Sequence, residues 1–399
     1  MDTVYEQKNQ RLPRVLCISL DSNLAKGTDG RLGDSTRRVM ALQSVCDSIH
    51  IVMRSFHSAI QRESRLGDRC FLYPTNSRGR VGFMADAVKL GSEIMRRTPI
   101  DVVYTQDPFS SGVVGYVLGR VFEKPVVFSF AGDMIDNPYW RRESPRNRFM
   151  NAVGKWLIKR GAGFRVCSAS EREKLTAMGV SQERIHEIGW LTDFTRFASA
   201  RGEDVRARLL VDRFDRLLLF VGRLVKQKNV HNLISAMKII SESWNTALLL
   251  VIGQGRELAD LEERVRRLGL EQKVVFLGAI EHQQLPEYFA ACDVFILPSL
   301  YEGNAIVVLE AAAAGRPSVS TDVSGASDAI IDGTTGFIVE RDNPAQLAGT
   351  TLELLRDPVK AAEMGRAARS HLLAKYSEES ILKGYHRMFL QASETNGHH

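Results

Sequence analysis

Short apolar runs rich in β-branched residues alternate along this chain with longer stretches whose apolar positions recur every three or four residues. That alternation predicts parallel strands joined by crossover helices, with both faces of each sheet covered. In the first half the pattern predicts strands over residues 14–20, 48–53, 101–104, 125–129 and 164–168, and helices over 34–45, 82–96, 110–122 and 147–160. In the second half it predicts strands over 217–222, 247–253, 273–278, 292–298, 317–321 and 337–339, and helices over 230–241, 257–268, 304–314 and 345–356. A polar, irregular stretch from 197 to 214 separates the halves. A last amphipathic pattern, about 378–391, sets Ile381, Tyr385, Met388 and Phe389 at helical spacing. With 399 residues the chain exceeds one doubly wound domain and suffices for two, each with its own core. The expected fold is α/β, with a domain over 11–196, a linker over 197–214, a second domain over 215–375 and a closing helix over 376–392.

The most informative chemistry lies between residues 299 and 336. Glu302 falls in a Gly-containing loop after an apolar strand, and Glu310 lies inside the helix expected from Asn304 onward. A helix N-terminus presents unpaired N–H groups and a partial positive charge, which suits a diphosphate, and Gly303, Asn304, Ala305 and Ile306 would supply that cradle. From Asn304 to Glu310 a helix climbs roughly 9 Å, so the two carboxylates sit at different depths. An elongated ligand with an anionic middle and hydroxyl-rich ends, as in a nucleotide-sugar, fits that spacing. Glu310 is flanked by Ile306, Val307, Val308, Leu309 and a run of alanines, where a carboxylate is expensive unless it faces a cleft or meets donors. Upstream, the strand 217–222 ends at Gly222, and Arg223 and Lys228 occupy the loop before the next helix. Arg offers phosphate a planar fork and Lys a flexible point charge.

The Glu-x7-Glu element, the Ala-x-Ala-x-Gly-x-Pro that follows it and Asp332-Gly333-Thr334-Thr335-Gly336 resemble, in order and spacing, the retaining two-Rossmann-domain glycosyltransferases of family 4, "glycosyl transferases group 1". The resemblance is strongest over 215–345 and weaker, but in the expected order, over 14–197. It implies a GT-B fold, two Rossmann-like domains facing a cleft, with the closing helix crossing back to the first domain. It implies that Arg223 and Lys228 grip the donor diphosphate, that Glu302 contacts the transferred sugar and that Glu310 binds the ribose. Gly253 resembles a strand-end glycine lining the donor site, and the backbone from Gly278 to Ile280 the segment that holds the base. Gly33 stands where a Gly-rich turn closes on the donor phosphates, with Arg37 following on the acceptor side. Where the family usually has Gly after the Lys, this chain has Asn229, which tolerates a left-handed backbone. Where many members carry a His near the reacting carbon, it has Ala131, leaving Asp133 as the nearest titratable group.

The implied activity is transfer of a hexosyl group from a nucleoside-diphosphate sugar to an acceptor hydroxyl with retention, in glycoconjugate, polysaccharide or glycolipid synthesis. The acceptor would be a saccharide or lipid-linked. No Asp-x-Asp metal motif is present, and the paired cations with a helix N-terminus can stabilise the leaving phosphate, so no cofactor is expected. Two other readings remain open: a nucleotide-sugar epimerase, and a nucleotide-sugar-binding subunit without activity.

Charge adds a surface to this picture. Residues 1–200 hold 30 of the 53 Lys+Arg and 21 of the 47 Asp+Glu, a net of +9, leaving 23 against 26 beyond them, a net of −3. Between Trp140 and Arg165, Arg141, Arg142, Arg146, Arg148, Lys155, Lys159, Arg160 and Arg165 face only Glu143, and Phe149, Val153, Trp156, Leu157 and Ile158 are interleaved with them. A helix of that kind suits an anionic membrane surface. No zinc-finger spacing, RRM-like motif or basic tail accompanies it, which argues against nucleic acid. The five cysteines are scattered without Cys-x-x-Cys spacing, no apolar run reaches the ~18 residues a span requires, and residues 1–10 are polar. The expected location is cytoplasmic, with a peripheral association at the inner face of the membrane.

Overall fold

The computed structural model describes residues 11–24, 34–56, 63–130, 132–209, 213–303 and 305–395. The chain divides into two units, 1–192 with 378–399, and 193–377.

The first unit is built on eight strands: β1 (Arg14–Ser19), β2 (Ser48–Met53), β3 (Ser64–Gly67), β4 (Cys70–Pro74), β5 (Val102–Thr105), β6 (Val126–Ser129), β7 (Gly163–Val166) and β8 (Ile185–Glu187). Their order is β3-β4-β2-β1-β5-β6-β7-β8, and only the β3–β4 pair is antiparallel. Side chains alternate across a strand, so β1 feeds two cores. Leu16 and Ile18 join Phe83, Val114, Leu118 and Leu157 from the helices Gly79–Arg97, Ser110–Val121 and Pro145–Ile158. Val15 and Cys17 join Ile381, Leu382, Tyr385, Met388 and Phe389 of the last helix, Glu378–Glu394. Tyr104 meets the Phe389 and Tyr385 rings edge-on, with centroids 5.5 and 6.3 Å away. The closing helix therefore covers one face of the first sheet.

The second unit carries β9 (Arg216–Val221), β10 (Ala247–Ile252), β11 (Val274–Gly278), β12 (Val294–Leu297), β13 (Ser318–Thr321) and β14 (Gly336–Val339), all parallel, in the order β11-β10-β9-β12-β13-β14. Every residue of β10 and β12 is buried, as a sheet covered on both faces demands. Counted from β9, this is the 3-2-1-4-5-6 order, with its reversal between β9 and β12. Ligands of doubly wound sheets sit at the carboxyl ends of the strands at such a reversal.

Three expectations need amendment. The stretch 197–214 is not irregular: helices Thr195–Ser199 and Glu203–Leu209 occupy much of it. Phe197 and Val205 are buried there, Phe197 meets the Phe289 ring edge-on at 5.5 Å, and Arg206 donates to the Ala291 carbonyl and pairs with Asp293. Strands β3, β4 and β8 do not stand out in the pattern, being only four, five and three residues long and broken by Arg65, Gly67, Pro74, His186 and Glu187. The helix expected from 304 begins at Ile306.

Candidate active site on the second sheet

Three glycines end β9, β10 and β11 and let those ends interlock. Gly222 N–H donates to the Ile252 carbonyl, Gly253 N–H to Gly278 O and Leu224 N–H to Gln254 O. Gly253 has φ 141°, and a Cβ there would fall 1.8 Å from the Gly222 carbonyl oxygen. Gly278 is at φ 71°. Only glycine allows so close a backbone approach. The half-buried Ile280 side chain packs against the core of the second unit.

Beyond Gly222 a single 3-10 turn, Lys226–Lys228, lifts Lys228 over the end of β9. Asn229 closes that turn at φ 49° and ψ 42° and begins the helix Val230–Ser243, the left-handed backbone expected of an Asn standing in for Gly. From the adjacent β12 end, Glu302 meets this lysine: Lys228 Nζ lies 2.5 Å from Glu302 Oε1, and both side chains are nearly buried. Ser299 Oγ donates to the same oxygen at 2.6 Å, and Thr321 Oγ1 holds the Ser299 carbonyl at 2.6 Å. Among the described residues Oε2 of Glu302 has no hydrogen-bond partner. Arg223 is exposed and reaches the pair indirectly, donating to Gln227 Oε1 at 3.2 Å while Gln227 Nε2 donates to the Tyr301 carbonyl at 3.0 Å.

Gly303 lies next, and Ala305 precedes the helix Ile306–Ala313 at φ 36° and ψ 44°, an unfavourable backbone for a residue with a Cβ. Among the described residues no side chain caps that helix, which leaves its first N–H groups to be satisfied otherwise. Asn304 lies outside the described residues. Glu310, 3% exposed, projects from the second turn, and His282 Nε2 sits 2.7 Å from its Oε1. His282 comes from the loop after β11 and rests against the Phe197 ring at 5.7 Å. The sequence reading missed this histidine, because one imidazole among Glu281, Gln283 and Gln284 carries no pattern.

Candidates on the first unit stand apart from this cluster in the chain. Asp133 pairs with Lys174 and accepts from Asn137 Nδ2 at 2.9 Å. Arg37 is exposed on the helix Asp34–Ala41. Gly33 and Ala131 lie outside the described residues. Nearby, Ser168 caps the helix Ala169–Ala177, and Glu171 Oε2 accepts from the Cys167 N–H at 2.8 Å, while burial pushes the Glu171 carboxyl up to about 8. All five cysteines are buried free thiols, and burial raises those of Cys17, Cys70 and Cys292 to about 12. Among the described residues no group of three His, Cys, Asp or Glu is placed to hold a metal, and no helix is long and apolar enough to cross a membrane.

Residues 203–371 match the family model "Glycosyl transferases group 1", and residues 40–193 match "Glycosyltransferase Family 4". The chain is 29% identical over 249 residues to a glycogen synthase of Mycobacterium tuberculosis, covering 62% of this chain and 58% of that protein. It is 34% identical to a D-inositol 3-phosphate glycosyltransferase of Streptomyces avermitilis, over 65% of this chain and 59% of the relative. Among solved structures, a sucrose-phosphate synthase from Thermosynechococcus elongatus superposes with a TM-score of 0.79 at 21% identity, over 95% of this chain and 98% of the other. Anabaena Alr3699/HepE in complex with UDP and glucose gives 0.73 at 19% identity, over 93% and 97%. These likenesses establish the two-domain GT-B fold.

Proposed function

Taking as premise that the chain belongs to the group 1, family 4 glycosyltransferases, we propose that it transfers a hexosyl group from a nucleoside-diphosphate sugar to an acceptor hydroxyl with retention of configuration. The observation that carries this reading is the 2.5 Å Lys228–Glu302 pair at the strand reversal, beside an uncapped helix start. In this reading Lys228 and Arg223 take the diphosphate together with the N–H groups after Gly303, Glu302 Oε2 accepts from a sugar hydroxyl, and Glu310 receives the ribose. A lysine and helix N–H groups aimed at the departing phosphate stabilise the charge that develops on it. That phosphate then takes the acceptor proton, a route that asks for no imidazole at position 131.

The acceptor is a saccharide or a lipid-linked one, met at an anionic membrane surface from the cytoplasmic side. Support comes from the helix Pro145–Ile158, where Phe149 and Trp156 are 64% and 44% exposed among exposed Arg146, Arg148, Lys155 and Lys159. Flotation with anionic but not neutral liposomes, abolished by Phe149→Ser with Trp156→Ser, is the expected result; equal flotation with both lipids removes the membrane contact.

The decisive experiment offers a panel of nucleoside-diphosphate sugars and reads thermal shift and nucleotide release. Glu302→Ala should lower turnover about 10²–10³-fold while changing nucleoside-diphosphate affinity less than tenfold. Full activity in that variant removes the role given to Glu302. Donor binding with neither transfer nor slow hydrolysis in the wild type would show a binding subunit instead.

A further inference from the structure

The helix Gly79–Arg97 buries Phe83, Ala87, Ile94 and Met95 beside Leu16 and Val52 of the first sheet. Between its flank and the strands β2 and β4 a groove of about 700 Å³ remains. That volume falls inside the roughly 300–1,000 Å³ of small-molecule sites. Its helical wall holds Asp86, Lys89, Glu93 and Arg97, spaced three or four apart and so on one face. From Asp86 to Arg97 the wall extends roughly 16 Å. Glu63, just ahead of β3, joins them from the strand side. Opposite charges at helical spacing commonly pair. Among the described residues, however, no side chain of these five makes an ion pair or a hydrogen bond.

The floor is already fixed. His50 of β2, 6% exposed, stacks on Phe71 of β4 with ring centroids 4.8 Å apart, and on Tyr73 at 6.0 Å. Its Nδ1 lies 3.2 Å from the Tyr73 hydroxyl and its Nε2 3.2 Å from Ser48 Oγ. Arg65 of β3 lies over the Phe71 ring, 5.3 Å from the centroid. Burial raises the Tyr73 phenol to about 12, with Glu63 adding to that rise and Arg97 opposing it, so charges of both signs act at the floor.

This mixture of charges selects among ligands. A phosphate would meet the carboxylates of Glu63, Asp86 and Glu93, and an ammonium would meet Lys89 and Arg97. An apolar ligand would strip water from all of them and return nothing. A chain of hydroxyls donates to the carboxylates and accepts from the cations at successive positions. We propose that this groove binds an uncharged oligosaccharide, its hydroxyls shared among Asp86, Lys89, Glu93 and Arg97 and its less polar side against Phe71 and Tyr73. That the saccharide is the acceptor, or the far end of one, rests on the transferase reading above. That the groove takes a saccharide does not.

The test titrates maltotriose, mannotriose and chitotriose into the full chain by calorimetry, beside glucose, mannose and N-acetylglucosamine, with tri-alanine and UDP as controls. At least one trisaccharide should bind no less than tenfold tighter than its monosaccharide. Asp86→Ala combined with Glu93→Ala should weaken that binding at least tenfold, with UDP affinity and donor hydrolysis unchanged. Alanine favours a helix, so the wall keeps its backbone, which circular dichroism checks. Lys89→Met, at an exposed position, should weaken the same binding severalfold. Equal binding of trisaccharides and monosaccharides, tighter binding of tri-alanine, or full affinity in both variants overturns the saccharide site. UDP binding and donor hydrolysis that persist in that case leave the donor reading intact. Trisaccharide binding without transfer to it keeps the site and overturns its acceptor role.

Discussion

The two sheets share one winding rule and differ in how each finishes its strand reversal. In the second unit β9 and β12 end in loops that carry charge, and three glycines bring the neighbouring strand ends within hydrogen-bond distance of one another. In the first unit the strands flanking the reversal, β1 and β5, end in self-contained caps. Asp107 accepts from the N–H groups of Phe109 and Ser111, and Leu20 N–H donates to Gln106. One reversal gathers charges and a helix start at its strand ends, and the other commits its polar groups to its own backbone. Buried polar atoms of the first unit without a partner among the described residues are scattered, at Thr36, Arg54, Ser77, Glu171 and Trp190.

The largest effect that would break this contrast comes from backbone approach. Gly253→Ala puts a methyl group against the Gly222 carbonyl, where no flexible side chain can give way. A loss of about 3–5 kcal/mol is expected in chemical denaturation. Gly179→Ala in the first unit has φ 87° but nothing within 4 Å, and should cost only about 1 kcal/mol. Similar losses in both would show that the interlocked strand ends are not what constrains the second unit.

A smaller effect sharpens the ligand side. His282→Ala removes the donor 2.7 Å from Glu310 and should weaken UDP binding about tenfold, close to 1.4 kcal/mol. It should also narrow the preference for UDP over its 2′-deoxy analogue, since a carboxylate no longer held reads a ribose less selectively. An unchanged preference would separate Glu310 from ribose recognition.

A further effect belongs to the first unit and depends on pH. Glu171 keeps its proton in the fold up to about pH 8, whereas the unfolded chain releases it near ~4.3. Between those values the native state binds the extra proton, so stability falls as pH rises, by at most about 1.4 kcal/mol per unit, and the loss is complete above 8. Denaturation of wild type and Glu171→Gln at pH 5 and pH 8 should show the variant less sensitive; parallel responses would contradict a buried, protonated Glu171.

Sequence made the second unit legible because its information is local. All six of its strands fall within two residues of expectation at either end, since buried parallel strands are uninterrupted apolar runs. Gly222 could be named because it directly follows β9, and Lys228 and Glu302 because they lie in the loops after β9 and β12. The first unit yielded less. The strands β3 and β4 mix Arg65, Gly67 and Pro74 into short segments, and the three residues of β8 include His186 and Glu187. In the second unit the helix Pro358–Lys375 escaped because, besides Met364 and Leu372, it buries only Ala361, Gly365 and Ala368, residues too small to mark an apolar stripe. His282 and the stacking of Arg38 and Arg165 on Trp190 are products of long-range packing, and no spacing in the chain announces them.

The closing helix ties the first sheet to the far end of the polypeptide. Val15, Cys17, Val102 and Tyr104 find their cover in Ile381, Tyr385, Met388 and Phe389, more than 270 positions downstream. During translation that greasy surface stays bare until the intervening 193–377 segment has emerged and the helix Glu378–Glu394 follows it. An amino-terminal fragment expressed by itself should therefore clump, and a nonsense codon just ahead of Glu378 should cripple the half of the protein that was made first.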